Sequence, residues 1–256
     1  MKDKLILITN DDGVNAKGIS ELVGIARKYG KVVVVAPDGA RSGQSNAITM
    51  TEPLYKTKLL EEDGLTIYKC SGTPTDCVKM ALNNILDKKP DFIFSGINHG
   101  SNSSVNVIYS GTMGAVLEGC SQGITSVGFS LCDHSKDADF SLFLPFVESI
   151  IAKVSTQDLP QGVCLNVNAP IGEIKGVRVC MQSKGQWIEE FDKRVNPNGQ
   201  IYYWMTGVFE NAEPENTGTD EWALNNGFVS VVPTTCNLTH YESLAWLKKI
   251  GYEQIE

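Results

Sequence analysis

Five runs along the chain are apolar without alternation: KLILIT from Lys4, KVVVVA from Lys31, DFIFSG from Asp91, TSVGFSL from Thr125 and GVCLNVN from Gly162. Each gives way to small or polar residues, and stretches with helical spacing lie between the runs, around Ala16 to Lys28, Pro74 to Leu86, Thr112 to Ser121 and Phe140 to Val154. A strand apolar at every position has both faces covered, and helices between such strands supply the crossovers of a parallel sheet. The pattern predicts a Rossmann-like, doubly wound α/β fold. The second helix has a legible start: Thr73 can cap it, Pro74 suits its first position, and Asp76 places a favourable charge in the first turn.

Beyond Pro170 the pattern changes. GVRVCMQS, WIEEFDKR, GQIYYWMTG and FVSVVPTT alternate and are separated by the polar turns NPNG and ENTGTD. Alternation with turns predicts antiparallel hairpins. The expected organisation is a single domain: an α/β core over 1–170, then a β-rich extension over 171–256 closed by a tail helix from Thr239 to Ile250. No internal repeat or low-complexity linker divides it.

Composition narrows the function classes. With 256 residues, 42% of them hydrophobic, the chain can bury a substantial core, and a formal net charge of -8 gives no basic footprint for a nucleic-acid polymer or an anionic membrane. No run is long enough to span a bilayer, and the leading LILI is too short for the core of a signal peptide. The seven cysteines are odd in number, scattered and free of any C-x-x-C pair, which argues against a disulfide framework or a zinc site and for buried free thiols in a reducing cytoplasm. In that compartment the sequons at Asn102 and Asn237 are chance matches.

In an open parallel sheet, ligands bind beyond the C-terminal strand ends. That rule selects three loops: TNDDG after the first strand, APDGARSGQSN after the second, and SGINHGSNSS after the strand from Asp91. Adjacent carboxylates at Asp11 and Asp12 repel each other unless a cation neutralises them, and a hard divalent ion with oxygen ligands meets that need. The same four residues also suit a polar turn in which one aspartate caps a helix. YSGTMGAV places Ser110, Gly111 and Thr112 at a helix start, which fits either a phosphate or an ordinary serine cap. The chain lacks a P-loop lysine and a G-x-G-x-x-G. Of the three histidines, only His99 falls in a candidate loop; His134 and His240 have no evident partner in sequence.

In their order and spacing, ILITNDDGVNAKGI, VVVVAPDGARSGQSNAIT, GTPTDCVKMAL, PDFIFSGINHG and VIYSGTMGAVLEG resemble the SurE family of stationary-phase survival proteins. The late NTGTDEWALNNGFVSVVP looks similar too, so the resemblance runs from about Leu5 to Pro233. It implies a metal-dependent nucleotide phosphatase with a divalent cation, Mg2+ or Mn2+, held by Asp11, Asp12, Ser42 and Asn98. Asp11, Asp12 and Asn98 are then the catalytic residues. Asn102, Ser110, Gly111 and Thr112 are the phosphate contacts. Implied substrates are nucleoside 5'- and 3'-monophosphates and short polyphosphate, and the implied assembly is a homodimer or homotetramer built through exchanged C-terminal elements. Three positions depart from the family pattern: Ser104 stands where glycine is frequent, Asn106 where an acidic residue is, and His99 where a small one is. Two other readings remain at this stage: an aspartyl-phosphate mechanism through Asp11 and a sensor that binds nucleotide without turnover.

Overall fold

The computed structural model describes residues 4–253, and its centre is one nine-stranded sheet. The five apolar runs form β1 (Leu5–Thr9), β2 (Lys31–Pro37), β5 (Phe92–His99), β6 (Thr125–Leu131) and β7 (Val163–Ala169). Between β2 and β5 lies a hairpin that the apolar pattern left unmarked, β3 (Lys56–Glu62) and β4 (Leu65–Cys70). Its two-residue turn is Asp63-Gly64, with Gly64 at φ +74°, a pairing favoured in tight hairpins. The sheet order is β3-β4-β2-β1-β5-β6-β7-β13-β8. All pairings from β4 to β7 are parallel.

From β1 the chain crosses to β2 on one side, and β5 later pairs on the other. The strand order therefore reverses between β1 and β5, and the crevice at their C-terminal ends is where such folds bind ligands. TNDDG and INHG flank this crevice, with the loop after β2 alongside.

The helices cover both faces. α1 (Lys17–Ala26) and α5 (Leu144–Val154) bury Ile19, Leu22, Val147 and Ile151 against Ile6, Ile8, Phe94 and Phe129. On the opposite face α2 (Pro74–Asn84) and α4 (Gly111–Ser121) pack Cys77, Val78, Ala81 and Ala115 against Leu5, Leu7, Val35 and Ile93. The start of α2 is as expected: Thr73 and Asp76 form a reciprocal capping box with Pro74 in the first turn. α5 begins four residues after the expected Phe140. Pro145 lies in its first turn, where a residue with no N–H and a fixed φ suits the start of a helix. The short α3 (Asn106–Tyr109) precedes α4.

The C-terminal third differs in part from a set of hairpins. β8 (Gly176–Val179) and β13 (Phe228–Thr235) join the main sheet, β13 antiparallel to β7 and parallel to β8. Val229 and Ser230 of β13 are buried beside β7, so this strand belongs to the core despite its alternating sequence. Two antiparallel ribbons remain: β9 (Gly185–Ile188) with β12 (Val208–Asn211), and β10 (Phe191–Val195) with β11 (Ile201–Met205). α6 (Asp220–Asn225), capped by Thr219, precedes β13. The tail helix α7 (Glu242–Lys249) buries none of its residues. Cysteines 70, 77, 120, 164 and 180 are buried free thiols, while Cys236 is exposed.

Candidate active site

The NDDG turn is closed by its own asparagine. Asn10 Nδ2 donates to Gly13 O at 2.9 Å, and Gly13 N donates back to Asn10 Oδ1 at 3.2 Å. Gly13 sits at φ +100°, and a Cβ there would lie 3.1 Å from the Gly39 backbone, so the tight approach of the first two loops requires glycine. Arg41 N donates to Asp11 O at 2.7 Å, which ties the loop carrying Ser42 to the carboxylates. Neither aspartate caps α1: its N-cap is Ala16, with no side-chain hydrogen bond.

Asp11 is buried, 3% exposed, and forms no ion pair among the described residues. Thr112 Oγ1 donates to Asp11 Oδ1 at 2.5 Å. Burial pushes the Asp11 pKa up to about 6; the Thr112 hydroxyl opposes the shift and the Asp12 charge adds to it. Gly111 makes room for this carboxylate, since a Cβ there would lie 2.9 Å from Asp11 Cβ. Asp12 is half-buried, and burial raises its pKa as well, offset by the His99 amide, which donates to Oδ2 at 3.2 Å, and by the charges of His99 and His134.

Asn98 Nδ2 donates to Gly100 O at 2.8 Å, which leaves its Oδ1 as the free atom. Ser110 Oγ caps α4 by accepting from Met113 N at 3.0 Å, so the hydroxyl hydrogen is left for a ligand. The helix start leaves the Gly111 amide without an intrahelical acceptor. Thr112, expected at the phosphate, is fully buried and spends its hydroxyl on Asp11. Asn102 is enclosed in an amide network: its Nδ2 donates to Ser130 Oγ at 2.8 Å, its N to Asn168 Oδ1 at 2.8 Å, and its O accepts from Asn166 Nδ2 at 2.8 Å.

Asp11, Ser42, Asn98, Asn102 and Ser110 line one cavity of about 390 Å³, within the usual range for small-ligand sites. Asp12, Ser42 and His99 face an adjoining hollow of about 720 Å³. The structure thus brings five of the eight expected site residues to one cavity, from three loops and the α4 cap. Two carboxylates, a hydroxyl and an amide oxygen are a hard donor set suited to magnesium or manganese. With two carboxylates and no histidine or cysteine, the set is not a group of three or more His, Cys, Asp or Glu side chains, of which the described residues contain none. An uncompensated buried carboxylate beside a second one is the fit expected of a cation site.

The three departures also find places. Ser104 sits at φ +51°, a left-handed conformation that explains why glycine suits the position. Here two bonds hold it, Ser104 N to Asp220 Oδ2 at 2.8 Å and Oγ to Ser183 O at 3.0 Å. The His99 ring bonds Ser135 O at 2.7 Å and meets Phe140 edge-on at 5.1 Å. Asn106 Oδ1 accepts from Trp187 Nε1 at 2.8 Å. Sequence reasoning missed His134, Glu221, Trp187 and Phe209, which also line the cavity. The His134 ring lies against Gly100, where a Cβ would come within 2.4 Å of Cε1.

The chain is similar to known proteins over nearly its whole length. The family described as "Survival protein SurE" matches residues 6–189. Proteins named "5'-nucleotidase SurE" from Phocaeicola vulgatus and Bacteroides fragilis are each 52% identical, over 97% and 96% of this chain and 97% of their own length. The crystal structure of a SurE protein from Aquifex aeolicus superposes with a TM-score of 0.82 at 37% identity, covering 96% of this chain and 99% of that one. The chain belongs to the SurE family.

Proposed function

We propose that this chain is a divalent-metal-dependent phosphatase that hydrolyses nucleoside 5'-monophosphates, and also 3' esters and short polyphosphate. Nucleotidase activity is what its relatives at 52% identity are named for. The observation that carries metal dependence is Asp11, a buried carboxylate next to a second one, with no cationic side chain bonded to it among the described residues and with oxygen donors sharing its cavity. Asp11, Asp12, Ser42 and Asn98 would hold the ion. When bound, a divalent cation neutralises the carboxylates, polarises the phosphate and lowers the pKa of a nearby water.

The chain's own residues supply the rest. Ser110 Oγ–H and the Gly111 amide donate to the phosphoryl oxygens, with the positive end of α4 behind them. Thr112 acts through Asp11 by fixing its carboxylate. Asp12 is the more open of the pair, with Oδ2 on the His99 amide; its Oδ1 is suited to take a proton from the attacking water. The exposed aromatics Tyr203 and Trp204 of β11 and Trp246 of α7 support association into a homodimer or homotetramer.

The expected result is release of inorganic phosphate from AMP with Mn2+ or Mg2+, abolished by EDTA and restored by added metal. Binding of AMP without phosphate release under either ion would leave a nucleotide sensor in place of an enzyme.

A further inference from the structure

Besides hydroxyls, amides and glycine backbone, the cavity that contains Asp11 is lined by His99, His134, Glu221 and Tyr109, and on one side it is closed by the β9–β12 ribbon. There Trp187 and Phe209 stand directly opposite each other in register, with ring centroids 6.0 Å apart at 65°. Each ring is seated on a glycine. A Cβ at Gly185 would lie 2.3 Å from Phe209 Cζ, and one at Gly207 would lie 3.0 Å from Trp187 Cε3. The indole is also tied to a second element, since Trp187 Nε1 donates to Asn106 Oδ1 at 2.8 Å, three residues before the end of α3 and next to the α4 cap.

A cross-strand aromatic pair that only steadied a ribbon would need no bond to the phosphate-side loop. Here the bond fixes the indole plane against the loop that leads into Ser110 and Gly111, while both rings remain half-buried and line the cavity. A ligand that fits must offer a dianionic group at one end and a flat π-face at the other. We propose that Trp187, backed by Phe209, is the stacking platform for the nucleobase, so that this wall selects nucleotides over phosphate esters lacking an aromatic ring. The inference rests on the nucleotidase reading above and adds the recognition element to it. Every base has a π-face, so the platform favours nucleotides as a class with little preference among bases.

The test compares kcat/KM for AMP and for ribose 5-phosphate, with Mn2+, in the wild type, Trp187→Ala and Trp187→Phe. Loss of one base stack predicts a fall of about tenfold or more for AMP in Trp187→Ala, carried mainly by KM, with ribose 5-phosphate changed less than about twofold. Trp187→Phe keeps a π-face but lacks the indole N–H, and it should recover most of the AMP activity. An equal fall on both substrates would assign Trp187 to holding the loop, and unchanged AMP kinetics would remove it from recognition; either overturns the platform with nucleotidase activity intact. Wild-type protein that cleaves ribose 5-phosphate but not AMP would instead overturn the nucleotidase reading, and the platform with it.

Discussion

Replacing Asp11 with Asn should make the metal-free protein more stable at neutral pH while abolishing turnover. Asp11 is buried and its pKa is raised from 3.8 to about 6. Between those values the folded protein binds more protons than the unfolded chain, so stability falls as pH rises through this window and levels off above it. A shift of about two units corresponds to ~3 kcal/mol lost by neutral pH. Asparagine carries no charge and keeps an oxygen to accept from Thr112 Oγ1. Some of the gain goes to imperfect packing of the amide, which leaves ~2 kcal/mol, or a rise in Tm of roughly 4–8 °C for a domain of this size. Thermal unfolding in EDTA, followed from pH 4 to pH 8, reads this directly. The variant's advantage should be near zero at pH 4 and full by pH 7, and Mn2+ should raise the Tm of the wild type only. A variant less stable than the wild type at pH 7.5, or an advantage independent of pH, would refute the picture of Asp11 as an uncompensated charge.

Other substitutions probe the neighbours of that carboxylate. Gly111→Ala brings a methyl to 2.9 Å from Asp11 Cβ, so kcat/KM should fall at least about tenfold although alanine is the better helix former. Thr112→Val removes the hydroxyl that holds the Asp11 pKa down; a hydrogen bond of ~1 kcal/mol moves the acidic limb of the pH–rate profile up by about 0.7 unit. Ser104→Gly relieves the left-handed backbone but loses the bond to Ser183 O, two effects of ~1 kcal/mol that offset each other. Ser104→Ala keeps the conformation and loses the bond, so urea denaturation should place it ~1 kcal/mol below both.

Much of this architecture can be read from the chain because its strands are apolar at every position, which leaves little choice but a covered parallel sheet. The loops follow from the strands, and Asp11, Ser42 and Asn98 do meet in one cavity. What the sequence hides is long-range pairing. β13 alternates like an exposed hairpin strand, and only its neighbours β7 and β8 make it part of the core. Trp187 lies in a ribbon whose local pattern gives no sign of the Asn106 contact 81 residues away. Thr112 looks like a phosphate ligand until the depth of Asp11 is known. The β3–β4 hairpin is a different case, since its Asp-Gly turn is a local signal that the search for apolar runs passes over.

The two ends of the large sheet are unlike. β3 is exposed along its whole length, carries Lys56, Lys58, Glu61 and Glu62, and is broken in register between Lys58 and Leu60. Such an edge resists a second strand. At the far end β8 is four residues long and exposes Val177 and Val179. A sheet open at one margin only can be extended once: two copies joined through β8 would leave charged, bulged margins facing outward, so strand addition terminates at a pair instead of growing into a fibre.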